Sequence, residues 1–215
     1  MNPDARRAKI KICGVRDRAT VECAAHAGAD YLGGVLVASR PRAVTPLEAT
    51  ELSNAIRGAG AIPVAVLRLD PNGAPLDATL LRALERFEIL QFHGDEQPRD
   101  LAPWLQWECW KGLPFAPMAL REWLDHDGSV RVTRLIVDGA TAGSGASWNY
   151  AEFGALEPSI RERCFLAGGL STSSVAHAIG QARPWGVDVS SGVESARGVK
   201  DHALIRAFID AVHAA

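Results

Sequence analysis

Long apolar runs, closely spaced cysteine pairs and a surplus of either charge are what this sequence has least of. No stretch approaches the roughly 20 consecutive apolar residues that cross a bilayer, and the opening MNPDARRA carries no apolar signal-peptide core. A cytoplasmic protein without a membrane partner is expected. Lysine and arginine number 23 against 25 aspartate and glutamate, a net charge of -2, so no electrostatic footprint for nucleic acid is expected either. The four cysteines, Cys13, Cys23, Cys109 and Cys164, show neither CxxC pairing nor zinc-ligand spacing. In a reducing compartment that pattern reads as free thiols, with no metal site. A GxGxxG turn is also missing: the first apolar alternation ends in ICGVRD, which removes the usual sign of a dinucleotide site in an open doubly wound sheet.

What is present is a regular alternation. The chain of 215 residues is 47% hydrophobic, enough for a substantial core. Eight short apolar runs recur along it: KIKIC (9–13), YLGGVLV (31–37), IPVAVL (62–67), EILQF (88–92), WECWKGL (107–113), RLIVD (134–138), RCFLAG (163–168) and WGVDVS (185–190). Segments with helical spacing lie between them, among them DRATVECAAHAGA, PLEATELSNAIRGA, LDATLLRALERF and the last, DHALIRAFIDAVHAA. No linker or composition shift divides the chain. Eight βα units predict one α/β domain, a closed (β/α)8 TIM barrel, compact beside the typical size of about 250 residues.

In such a barrel the chemistry gathers where strands end. Cys13, Arg42, His93, Asp138, Gly168, Gly169, Asp188, Ser190, Ser191 and Gly192 all fall at or just beyond predicted strand ends. AGGLSTSSV and DVSSGVE follow strands seven and eight, the usual phosphate loops of this fold, where glycine permits close approach and backbone N–H groups meet the anion. Cys13 and Asp138 are the candidates for proton transfer. A thiol titrates at about 8.5 and a nearby positive charge lowers that, although a cysteine at a strand end also suits a small buried hydrophobe. Asp138 precedes GATAGSGAS, a segment suited to closing over a ligand, and also suits a turn cap. The two end strands one and six, on well-separated sides of the barrel, which suits an isomerase. Arg42 in SRPRAVTP offers a bidentate fork to a carboxylate, with Arg40 in competition. His93 reads as a donor behind the site or a polar rim residue. Asp95 and Glu96 read as carboxylates at a helix N-terminus, and Trp104, Trp107, Trp110 and Trp123 as packing residues.

KICG at 11–14, SRPRAVTP at 39–46, QFHGDE at 91–96, LIVD with the GSG that follows, AGGL at 167–170, and DVSSGVE with GVKD at 188–201 follow the order and spacing of phosphoribosylanthranilate isomerase. On these motifs the chain resembles that family over almost its whole length. The resemblance implies a short arm at residues 1–8 and a catalytic barrel at 9–215. It also implies the Amadori rearrangement of N-(5-phosphoribosyl)anthranilate in tryptophan biosynthesis, with no cofactor and a phosphorylated small molecule as the only partner, in a monomer or homodimer. Carried onto this sequence, Asp138 is the general acid and Cys13 the general base, and Arg42 holds the anthranilate carboxylate. Gly168, Gly169, Ser190, Ser191 and Gly192 hold the phosphate, while Asp188 and His93 lie beside the substrate. Strand two reads GGVLV where the family has GFIF-like aromatics, and strand three runs into an arginine, VAVLRLD, where a GVFVN-like ending is usual. The alternatives are a barrel isomerase acting on the histidine-pathway aminoaldose, indole-glycerol-phosphate synthase, and a non-catalytic barrel that binds another phosphorylated sugar. The first would use two aspartates, the second a lysine acid and a longer N-terminal segment, and the third would have no use for Cys13 and Asp138.

Overall fold

A computed structural model describes residues 7–125, 132–139 and 149–215. Eight parallel strands close into a barrel in sequence order: β1 (Lys9–Cys13), β2 (Tyr31–Val35), β3 (Ile62–Leu67), β4 (Ile89–Phe92), β5 (Glu108–Pro114), β6 (Val132–Asp138), β7 (Cys164–Leu166) and β8 (Gly186–Val189). Closure comes from β8 pairing with β1, Lys11 opposite Asp188. Each of the eight expected apolar runs overlaps one of these strands; β5 ends one residue beyond its run and β6 starts two residues before its own. The helices are α1 (Arg18–Ala27), α2 (Pro46–Gly58), α3 (Ala78–Leu84), α4 (Pro117–Asp125), α5 (Tyr150–Gly154), α6 (Pro158–Arg161), α7 (Val175–Ala182) and α8 (His202–His213). The connection after β4 carries a 3-10 segment, Pro98–Trp104, instead of an α-helix, because Pro103 lacks the N–H that an α-helical turn needs. A second 3-10 turn, Ser191–Val193, leads into a small antiparallel pair, β9 (Glu194–Ala196) and β10 (Val199–Lys200). Of the predicted N-terminal arm, residues 1–6 lie outside the described residues, as does most of the GATAGSGAS segment, 140–147.

Side-chain caps start the longer helices. Asp17 accepts from the Thr20 N–H at α1 and Asp201 from Ala203 and Leu204 at α8. Thr45 and Glu48 form a reciprocal capping box at α2, followed by Pro46 in the first turn. Such caps satisfy donors that a helix start leaves without intrahelical partners.

Two apolar layers hold the barrel. The outer one, between strands and helices, contains Ile10, Ile12, Leu32, Leu67, Phe92 and Phe208 among many others. The inner one is an aromatic plug: Tyr31, Trp110 and Phe165 meet at centroid distances of 5.0–5.7 Å, with Val64, Ile89, Ile136 and Ala167 around them. Burying each large apolar side chain contributes roughly 1.5–3 kcal/mol. The four tryptophans named above behave as packing residues: Trp110 lies inside the barrel, Trp104 stacks on Phe92 and Trp107, and Trp123 packs in the outer layer beneath the Lys111 ammonium.

The two-residue alternation of β1 sends Ile10 and Ile12 outward to the helices and Lys11 and Cys13 inward, since parallel register partners share a face and Lys11 sits opposite Tyr31. A lysine on a half-buried strand ordinarily faces water. Here both faces of the strand are covered, and Lys11 is completely buried.

Candidate active site

The C-terminal rim of the barrel encloses a cavity of about 440 Å³. Every site residue expected from the sequence lines it: Cys13 from β1, Arg42 from the loop after β2, His93 after β4, Asp138 at the end of β6, Gly168 and Gly169 after β7, and Asp188, Ser190, Ser191 and Gly192 from β8 and its loop. Arg40 lines it as well, together with Arg68 and Arg197. A larger depression of about 630 Å³ on the outer surface, between α1 and α2, contains none of these. Among the described residues no group of three or more His, Cys, Asp or Glu side chains is arranged to hold a metal ion, and no helix is long and apolar enough to cross a membrane.

The floor of the cavity is charged. Lys11 Nζ donates to Asp188 Oδ1 at 2.9 Å, with the lysine side chain fully buried and the aspartate 10% exposed. The same ammonium and the Cys13 sulfur both face Gly33 of β2, where a Cβ would lie 3.3 Å from Lys11 Nζ and 3.4 Å from Cys13 Sγ. Burial disfavours the lysine's charge, but Asp188 and Cys13 together outweigh it and hold its pKa above the ordinary value. For Cys13 the balance goes the other way. Burial pushes the thiol up and Asp188 adds to the push, against Lys11 and Lys200, which pull it down. The expected positive neighbour is therefore present, but it does not bring the thiol below its usual range.

Asp138 and His93 meet across the rim. His93 Nε2 is 3.4 Å from Asp138 Oδ2, and its Nδ1 is 3.4 Å from Gln91 Nε2. The imidazole rests directly on Gly112 of β5, where any Cβ would overlap it. Gly112 is therefore the residue that lets His93 reach Asp138.

Arg42 arrives already held. Its Nε and Nη2 donate to the two carboxylate oxygens of Glu194, at 2.6 and 2.7 Å. That pairing uses the side-on edge of the guanidinium, so a substrate carboxylate would meet the remaining end-on edge. Glu194 also accepts from Lys200 Nζ at 2.9 Å and from the Gly198 N–H at 3.0 Å. Although burial opposes its charge, the bonds from Arg42, Lys200 and Gly198 hold the Glu194 carboxyl down at about 2. Beneath Arg42 lies Gly14, at φ +76°, and a Cβ there would sit 2.5 Å from Arg42 Cδ.

The two glycine-containing loops pack against each other. Gly168 and Gly169 both take left-handed φ, +80° and +71°, which favours glycine. A Cβ on Gly168 would press on the Gly139 N–H and on Asp138, whereas Gly169 faces open space. Gly192 abuts the Leu170 carbonyl so closely that a Cβ would overlap it. The Ser190 hydroxyl donates to the Cys13 carbonyl at 3.0 Å and receives Lys200 Nζ at 3.3 Å, so it ties β8 to β1. Ser191 is exposed.

Glu96 departs from its expected place. It is no helix-end carboxylate on the surface: it is buried, accepts from the backbone N–H of Leu69 and Gly94, and pairs with Lys111 at 2.7 Å. Lys111 also donates to the Gly94 carbonyl. Together they pin the loop that carries His93. Asp95 beside it is exposed and bonds Arg68 at 2.6 Å. Lys11, Gly33, Glu194, Lys200, Gly112 and Lys111 escaped the residue-by-residue reading. Of these, Lys11, Glu194 and Lys200 had a signal, in the KICG, DVSSGVE and GVKD segments.

Comparison with known proteins agrees with this geometry. Residues 10–211 match the family model described as N-(5'phosphoribosyl)anthranilate (PRA) isomerase. An N-(5'-phosphoribosyl)anthranilate isomerase from Roseiflexus sp. (strain RS-1) is 40% identical, covering 96% of this chain and 98% of its own. Among solved structures, TrpF from Jonesia denitrificans superposes with a TM-score of 0.78 at 33% identity, covering 96% of this chain and 97% of its own. Phosphoribosyl anthranilate isomerase from Thermus thermophilus does so with 0.77 at 29%, covering 96% and 98%. With a family match across nearly all of its length and a full-length relative at 40% identity, the chain belongs to the phosphoribosylanthranilate isomerase family.

Proposed function

We infer that this chain converts N-(5-phosphoribosyl)anthranilate to 1-(2-carboxyphenylamino)-1-deoxyribulose 5-phosphate, an isomerisation of tryptophan biosynthesis, with Asp138 as general acid and Cys13 as general base. The observation that carries this reading is that a carboxyl group, a thiol and two adjacent left-handed glycines line one cavity at the ends of β6, β1 and β7. A barrel that only bound a phosphorylated sugar would have no use for the first two.

The chemistry runs in three stages. The substrate phosphate docks against the backbone of Gly168, Gly169, Ser191 and Gly192, and the anthranilate carboxylate meets the free edge of Arg42. Asp138 protonates the furanose ring oxygen as the anilino nitrogen pushes its lone pair toward C1, so the C1–O bond breaks and an iminium forms. The Cys13 thiolate then takes the C2 proton. The C2–H electrons become the C1–C2 double bond, and the iminium pair returns to nitrogen. The resulting enolamine tautomerises to the ketone. Asp188 faces the sugar from the floor, bonded to Lys11. His93, braced by Gly112, orients the Asp138 carboxyl and lies beside the sugar. All of these groups come from one chain, so a monomer has a complete site.

The test is turnover by the purified protein, followed as loss of the substrate's anthranilate fluorescence. Conversion supports the reading, and stable fluorescence with bound substrate would reduce the chain to a binding module.

A further inference from the structure

A base that takes a carbon-bound proton must be a thiolate, yet Cys13 is half-buried in the cavity wall, where desolvation favours the thiol. The mechanism above leaves one buried ionic group beside it without a task in the proton transfer. Lys11 stands one step deeper on the same inward face of β1, fully buried, with its ammonium bonded to Asp188 at 2.9 Å. Across from both is Gly33 of β2, the register partner of Cys13. A Cβ at Gly33 would lie 3.3 Å from Lys11 Nζ and 3.4 Å from Cys13 Sγ. The bare glycine thus leaves a slot that both the amine and the sulfur line.

We propose that Lys11 is a positioning residue for the isomerisation: anchored by Asp188 and lodged beside Cys13 in the slot left by Gly33, its ammonium is the cation against which the thiolate base forms. Asp188 serves as the anchor because a buried ammonium needs a partner, and the pair is neutral until the thiol ionises. The other charged groups that act on the sulfur or on its surroundings are Lys200 and Arg42, both already bonded to Glu194. Lys11 is the one cation of the three that shares with the sulfur the space beside Gly33, and it is bonded to Asp188 instead of Glu194. When the thiolate takes the C2 proton, the sulfur becomes neutral and the Lys11–Asp188 pair remains, so the step leaves no unpaired buried charge.

The inference rests on Cys13 being the base, and its test is read without turnover. The alkylation rate of Cys13 by iodoacetamide is followed against pH by mass spectrometry of the peptide containing it, in the parent and in Lys11→Met and Lys11→Arg. Loss of the cation should raise the alkylation midpoint by about one pH unit or more, a tenfold fall in thiolate at neutral pH. Lys11→Arg, which keeps a charge and a donor, should stay near the parent. The kcat lost in Lys11→Met should be partly regained at higher pH, which a merely structural lesion would not allow. Should Lys11→Met fail to fold, Gly33→Ala wedges a methyl group between the two partners and must raise the midpoint in the same direction. A midpoint unchanged in every folded variant overturns the proposal, even if Cys13→Ser abolishes activity. Full activity in Cys13→Ser would instead overturn the assignment of the base.

Discussion

Glu194 grips Arg42 through both carboxylate oxygens, Nε at 2.6 Å and Nη2 at 2.7 Å, across 152 positions of sequence. The same carboxylate holds Lys200, whose ammonium in turn bonds the Ser190 carbonyl at 2.8 Å. One side chain therefore aims the arginine assigned to the substrate carboxylate and steadies the loop assigned to its phosphate. Glu194→Gln should raise KM more than it lowers kcat. Because Lys200 and Glu194 are both 3% exposed, it should also cost about 3–5 kcal/mol of stability, the usual effect of breaking a buried pair. Steady-state kinetics and urea denaturation check the two parts.

The same residue predicts an acid dependence. Its carboxyl is held at about 2 in the folded protein, below its ordinary value of about 4.3 in an unfolded chain. A folded-state pKa below the unfolded one gives stability that is fully present above the unfolded pKa and is lost as pH falls through the folded one. The parent should therefore lose stability between about pH 5 and pH 2, and Glu194→Gln should show a shallower loss over that window. Parallel curves for parent and variant would contradict this.

Gly112→Ala should act on catalysis through His93. A methyl group there overlaps the imidazole, so the ring must leave Asp138 while the strand, which alanine tolerates, stays intact. Displacement of a positioning group by an ångström costs up to about 10²-fold in rate. A fall of that order in kcat, with a melting temperature within a few degrees of the parent, is the expected result.

Gly192→Ala should separate the loops after β7 and β8. Its methyl group runs into the Leu170 carbonyl, backbone against backbone, so the loops must move apart. Overpacking of this kind costs about 1–3 kcal/mol, and affinity for inorganic phosphate or phosphorylated substrate should fall about tenfold or more, since each 1.4 kcal/mol of lost contact is a factor of ten. Titration with each ligand measures it.

Much of this was legible in the residues. Eight apolar runs placed the eight strands, because in this fold each strand is buried on both faces, and the groups that end those runs, Cys13 and Asp138 among them, line the cavity. The supporting charges were not legible for the same reason. In KIKIC an alternating lysine reads as a solvent-facing position, and only closure of the barrel by β8 turns Lys11 inward onto Asp188, 177 residues away. Glu96 reads as a helix-end carboxylate because nothing local shows that β5 brings Lys111 beneath the loop at 93–96. Gly112 carries no turn and no positive φ; its role exists only through His93, from the neighbouring strand. Ser190 has a hydroxyl in a phosphate loop, and its bond to the Cys13 carbonyl depends on the β8–β1 seam. Side chains that end strands are thus announced locally, while those that hold them depend on which strands become neighbours.

The central claim is the pairing of acid and base on opposite sides of the cavity, and kcat of Asp138→Asn and Cys13→Ser tests it most directly. With substrate fluorescence as the readout, each variant should lose about 10²–10⁴-fold in kcat, the range expected for general acid–base groups, while KM stays within a few-fold of the parent. Near-parental kcat in either variant would contradict the account.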